Sequence, residues 1–97
     1  MKRQAVLDIL ARHHAELQRM EVASLALFGS VARDEALEDS DIDLLIEFKS
    51  PVGLFDFVRV RQFLEQILGG GKVDLVMSSA IIEELRENIL KESVRAA

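Results

Sequence analysis

The sequence predicts an α/β (α+β) fold, a small mixed three-stranded sheet flanked by helices. Three observations predict it. Stretches with apolar residues at spacings of three and four alternate along the chain with shorter, denser apolar runs, and that alternation implies strands covered by helices. A helix-length segment separates the second apolar run from the third, which favours a parallel, right-handed connection between those strands. The first two runs are joined by a shorter link that permits an antiparallel pair.

In chain order, residues 2–20 read as a helix, with Val6, Ile9, Leu10, His13 and Leu17 on one stripe. Adjacent helical residues diverge by about 100°, so His13 and His14 are poorly placed to chelate one ion and read as solvated or core-edge histidines. The run 22–28 is almost wholly apolar and suits a central strand buried on both faces. Gly29 follows and permits a tight turn or the close approach of a ligand. Ser30 can cap a short helix over 31–37. Residues 38–40 are polar and turn-like, and 41–48 form the second strand.

Residues 49–53 make a loop with Pro51, and a helix follows over 54–68, with Leu54, Phe57, Val60, Leu64 and Leu68 on its stripe. Phe55, Phe57 and Phe63 read as core rather than as a platform for a base. Gly69-Gly70-Gly71 ends that helix. The third strand is 72–77, and a last helix spans 80–94, with Ile81, Leu85, Ile89 or Leu90, and Val94 on its apolar side.

The bulk composition narrows the function. A chain of 97 residues with 49% apolar and 30% charged residues reads as one soluble globular domain over 1–97. Its net charge is −5, with basic residues scattered among acids, so direct nucleic-acid binding is not expected. Cysteine is absent, which excludes disulfides and thiolate metal sites. No apolar run is long enough to span a membrane, and no signal-peptide core follows Met1-Lys2-Arg3-Gln4. A cytoplasmic location is expected.

The chemistry concentrates in 25–48. A strand sends alternate side chains to opposite faces, so Ile42, Leu44, Ile46 and Phe48 can enter a core while Asp41 and Asp43 stay outside it. Their roots are then roughly 6.5–7 Å apart, close enough to converge on a cation. In 72–76, Val73 and Leu75 share one face and Asp74 takes the other. If the second and third strands are neighbours, Asp74 joins the first two carboxylates at one end of the sheet. Hard oxygen ligands of this kind suit Mg²⁺. Two such ions about 3.5–4 Å apart can clamp the attacking and leaving oxygens of an in-line displacement. The Gly29-Ser30 turn adds backbone N–H groups at a helix start, which attract phosphate. Gly69-Gly70-Gly71-Lys72 superficially suggests a Walker loop, but Gln66 and Val73 occupy positions where that motif needs Gly and Ser or Thr.

Gly29-Ser30, a ten-residue spacer and Asp41-x-Asp43 together resemble the signature of the polymerase-beta-type nucleotidyltransferase superfamily. The short chain and the wording Gly-Ser-Val-Ala-Arg and Asp-Ser-Asp-Ile-Asp-Leu resemble its minimal nucleotidyltransferase (MNT) branch. The resemblance covers nearly the whole chain and implies the nucleotidyltransferase fold. It implies that Asp41 and Asp43 hold Mg²⁺, that Asp74 is the third carboxylate and helps activate the acceptor hydroxyl, and that Gly29, Ser30 and Arg33 bind the phosphates. The family often follows this arginine with glycine, where this chain has Asp34.

The family acts as antitoxins that adenylylate a tyrosine of a HEPN-type ribonuclease toxin. The resemblance therefore implies an enzyme that uses ATP or another nucleoside triphosphate, with a partner protein supplying the hydroxyl. Since the chain contains no tyrosine, a tyrosine acceptor must lie on another molecule. Two other readings stand beside this one. The chain could neutralise its partner by contact alone, or be a subunit of a small-molecule nucleotidyltransferase.

Overall fold

The computed structural model describes residues 2–32, 41–69, 72–80 and 94–95. Its elements are α1 (Arg3–Arg12), α2 (His14–Arg19), β1 (Val22–Phe28), α3 (Gly29–Ala32), β2 (Ile42–Phe48), α4 (Leu54–Ile67), β3 (Val73–Met77) and β4 (Val94–Arg95). The sheet order is β3-β2-β1-β4. β1 runs antiparallel to β2, and β2 runs parallel to β3 across α4. These three strands form the mixed sheet expected from the sequence, and β4 adds a two-residue margin antiparallel to β1.

Alternation along the strands supplies one apolar face. Leu25 and Leu27 of β1, Ile42, Leu44 and Ile46 of β2, and Val73 and Leu75 of β3 are all buried. They share one core cluster with Val6 and Leu10 of α1, Leu17 of α2, and Val60, Leu64 and Leu68 at α4. The helices thus cover this face of the sheet. The expectation that β1 is buried on both faces is corrected. Its Ser24, Ala26 and Phe28, which take the other side, are only half-buried. Among the described residues, no helix is long and apolar enough to cross a membrane.

The single helix expected over 2–20 is two helices, broken at His13 (φ −106°, ψ 17°). The His13 N–H turns to the Leu10 carbonyl at 3.2 Å, and its Nδ1 donates to the Ile9 carbonyl at 2.9 Å. The imidazole thus serves a carbonyl that a continuous helix would have given to the backbone N–H of residue 13. The ring meets Phe63 of α4 edge-on, with centroids 5.8 Å apart. His13 is a core-edge residue and His14 is exposed.

α4 begins at Gly53, whose N–H donates to the Asp56 carboxylate at 3.3 Å, and ends before Gly69, whose φ of 84° suits glycine. Its apolar stripe is shorter than the sequence suggests. Val60, Leu64 and Leu68 are buried and Phe57 is half-buried, but Leu54 is 74% exposed. Phe57 and Phe63 pack against the core as expected, whereas Phe55 is 85% exposed. The last helix expected over 80–94 lies mostly outside the described residues. At its two ends, Ser78–Ala80 forms a 3-10 turn and Val94 belongs to β4 rather than to a helix.

Candidate active site

The candidate residues meet at one end of the sheet, where β1 finishes and the parallel pair β2 and β3 begins. Register places Phe28 opposite Asp43, and Asp43 beside Asp74. These three residues form one row across three strands. Laterally paired residues project from the same face of a sheet, with neighbouring strands about 4.8 Å apart. Asp43 and Asp74 therefore rise side by side from the face opposite the helical core. Asp41 lies just before β2, and the Ile42 N–H donates to the Lys72 carbonyl at 2.9 Å. That bond pins the entry of β2 against the entry of β3.

The three carboxylates differ in exposure. Asp41 and Asp74 are open to solvent, while Asp43 is half-buried. Asp43 is half-buried partly because Gly29 sits against it. A Cβ built at Gly29 would lie 3.0 Å from Asp43 Cγ and 3.3 Å from its Cβ, and would collide with Oδ2. Gly29 also has φ 73°, a conformation that side chains disfavour. The close approach foreseen at Gly29 thus includes the chain's own aspartate. Nothing in the local sequence marks this contact, because its two partners are fourteen positions apart.

Ser30 lies within α3, after Gly29 rather than ahead of the helix as its cap. Arg33 lies outside the described residues, as does most of the short helix expected over 31–37. Arg3, which no motif singled out, reaches across from α1. Its Nη1 donates to the Ala32 carbonyl at 3.1 Å. It ties the end of α3 to the first helix, a pairing between positions too distant for any sequence pattern to reveal.

Among the described residues, no three carboxylate or imidazole side chains are drawn together into a preformed metal cluster. The register supplies a shared pole of hard oxygen donors. Asp41, Asp43 and Asp74 have the donor chemistry for a divalent cation that keeps waters and binds phosphate, and no thiolate competes, since cysteine is absent.

The family defined by the nucleotidyltransferase domain matches residues 8–96, a span that includes Gly29 and all three carboxylates. The chain belongs to this family. Protein adenylyltransferase MntA of Thermococcus cleftensis is 40% identical over 88 residues, covering 90% of this chain and 88% of that protein. A solved structure provisionally named a minimal nucleotidyltransferase superposes with a TM-score of 0.84 at 35% identity, covering 97% of this chain and 95% of that one. The MNT antitoxin and tri-AMPylated HEPN toxin complex of Shewanella oneidensis gives a TM-score of 0.59 at 16% identity, covering 91% of this chain and 71% of that one. That last likeness is one of fold. The chain is thus a nucleotidyltransferase of the minimal kind, with the resemblance and the fold expected from its sequence.

Proposed function

We propose that this nucleotidyltransferase is a cytoplasmic antitoxin that transfers AMP from ATP to a tyrosine hydroxyl of a HEPN-type ribonuclease toxin. The observation that carries the reading is the row formed by Asp43 and Asp74 on adjacent strands, with Asp41 two residues before Asp43 and Gly29 against it. The relative named as a protein adenylyltransferase supports the choice of a protein acceptor. The lack of any tyrosine in the chain requires that a tyrosine acceptor be supplied by another molecule.

In this reading Asp41 and Asp43 hold Mg²⁺, with Asp74 completing the oxygen set. When bound, Mg²⁺ neutralises charge on the phosphates and on the attacking oxygen. The N–H groups of Gly29 and Ser30 orient the triphosphate tail, and Arg33 adds positive charge beside it. Asp74, exposed and on the outermost of the three long strands, is the carboxylate that a side chain of another protein can reach. It takes the proton from the acceptor hydroxyl. The hydroxyl oxygen forms a bond to the α-phosphorus, the bond to the bridging α–β oxygen breaks in line, and pyrophosphate leaves.

The test combines the purified chain with labelled ATP, Mg²⁺ and the HEPN-type toxin from the same genome. The expected result is label on a toxin tyrosine, lost in Asp41→Asn and Asp43→Asn, with ribonuclease activity falling as label accumulates. Toxin inhibition that persists in both variants without any transferred label would replace this reading with neutralisation by contact.

A further inference from the structure

We propose that Arg3 is a positioning residue of the transfer site. By holding the end of α3 it keeps Gly29, the first residue of α3, seated against Asp43, and so sets the aim of that carboxylate. The proposal rests on the transferase reading above and adds to it a residue from outside the motif.

The first helix places Arg3 and has no electrostatic need of it. Arg3, Val6 and Leu10 follow at spacings of three and four and so share one face of α1. Val6 and Leu10 are fully buried, which anchors that face in the core. Helical side chains lean toward the N-terminus, so the stem of Arg3 extends the buried stripe beyond the first turn. A cation at a helix start opposes the helix dipole, and the first turn of α1 holds no acid to offset it. The charge is favourable at the other element it touches. The last carbonyls of a helix need donors from outside it, and basic side chains supply them well. Arg3 Nη1 donates to the carbonyl of Ala32, the last residue of α3, at 3.1 Å.

α3 needs such a hold. It has four residues, and a helix of one turn has no stability of its own. Val31 and Ala32 are buried in the core cluster, which fixes how deep α3 sits. Apolar burial is non-directional, whereas a hydrogen bond constrains angle as well as distance. The Arg3 bond is therefore the contact suited to fixing the direction of α3. Ala32 lies about 4.5 Å along the axis from Gly29, so a tilt about the buried side chains moves both ends by similar amounts. At the Gly29 end there is no slack on one side, since even a Cβ there would collide with Asp43 Oδ2. A tilt toward β2 drives Asp43 to another rotamer, and a tilt away removes the wall that half-buries it. Either change moves one of the carboxylates assigned to Mg²⁺.

The experiment uses the full chain and three variants. Arg3→Met keeps the stem and a good helix former but removes the donors, and Arg3→Lys keeps a donor. Leu64→Ala is the control for a structural loss remote from α3. In metal-free buffer, the backbone N–H groups of residues 29–32 are expected to exchange with deuterium at least tenfold faster in Arg3→Met, with those of β3 unchanged. By titration calorimetry, the Mg·ATP dissociation constant is expected to rise at least tenfold in Arg3→Met, and to stay within about threefold of wild type in Arg3→Lys and Leu64→Ala. Exchange at 29–32 that matches wild type in Arg3→Met overturns the proposal, and so does an equal loss of Mg·ATP affinity in Leu64→Ala. A wild-type chain that binds Mg·ATP in this Arg3-dependent way but transfers no AMP to the toxin leaves the positioning role standing and removes the transferase reading alone.

Discussion

Gly29→Ala tests the geometry on which the active site depends. A methyl group at this position enters the space of the Asp43 carboxylate, lying 3.0 Å from Cγ and 3.3 Å from Cβ. The backbone at φ 73° adds a second penalty. Holding alanine in the left-handed region costs about 1–2 kcal/mol, and turning Asp43 off its preferred rotamer costs about 0.5–1.5 kcal/mol. Together they predict a loss of roughly 2–3 kcal/mol, or a fall in Tm of roughly 10–20 °C for a domain of this size. Displacing a carboxylate by about 1 Å costs on the order of 10²-fold in rate, so transfer activity should fall at least that far. A double-mutant cycle by thermal melts and single-turnover AMP transfer separates the two penalties. With Asp43→Ala in the background the carboxylate is gone, and Gly29→Ala should cost only its backbone part, leaving a coupling near ~1 kcal/mol. Strict additivity of the two substitutions, or a Gly29→Ala protein with wild-type activity, would refute the claim that Gly29 positions Asp43.

Other outcomes follow from the same arrangement. Asp74→Asn removes one of two carboxylates held side by side in register. In metal-free buffer it should raise stability by a few tenths of a kcal/mol, read as a small increase in Tm, while slowing transfer at least tenfold. Asp41→Asn and Asp43→Asn should each reduce transfer by about 10³-fold with unchanged far-UV circular dichroism, since loss of a ligand to the transition-state charge is worth several kcal/mol. Mg²⁺ with ATP at about a hundredfold over its dissociation constant should stabilise the wild type by about 2.7 kcal/mol, measured by differential scanning fluorimetry, and should leave Asp43→Asn unmoved. Leu64→Ala, at a fully buried position of α4, should cost about 2–5 kcal/mol by denaturant melts and serves as the control for a purely structural loss.

Much of this protein was legible from local pattern alone. Alternation placed β2 and β3 and sent Asp43 and Asp74 away from the apolar face, because a strand's side chains have a period of two whatever surrounds them. The length of the crossover favoured the parallel pairing that β2 and β3 adopt. Gly29-Ser30, the ten-residue spacer and Asp41-x-Asp43 marked the family. Tertiary structure decided what depends on partners distant in sequence. Register set Asp43 beside Asp74 rather than a residue away, and a slip of one would have turned one carboxylate into the core. Packing closed Gly29 onto Asp43, drew Arg3 to the end of α3, and broke the first helix at His13. It also left Leu54 and Phe55 in solvent despite their apolar character. Helical periodicity shows which side chains can share a face, but whether another element covers that face depends on where the neighbouring strand ends.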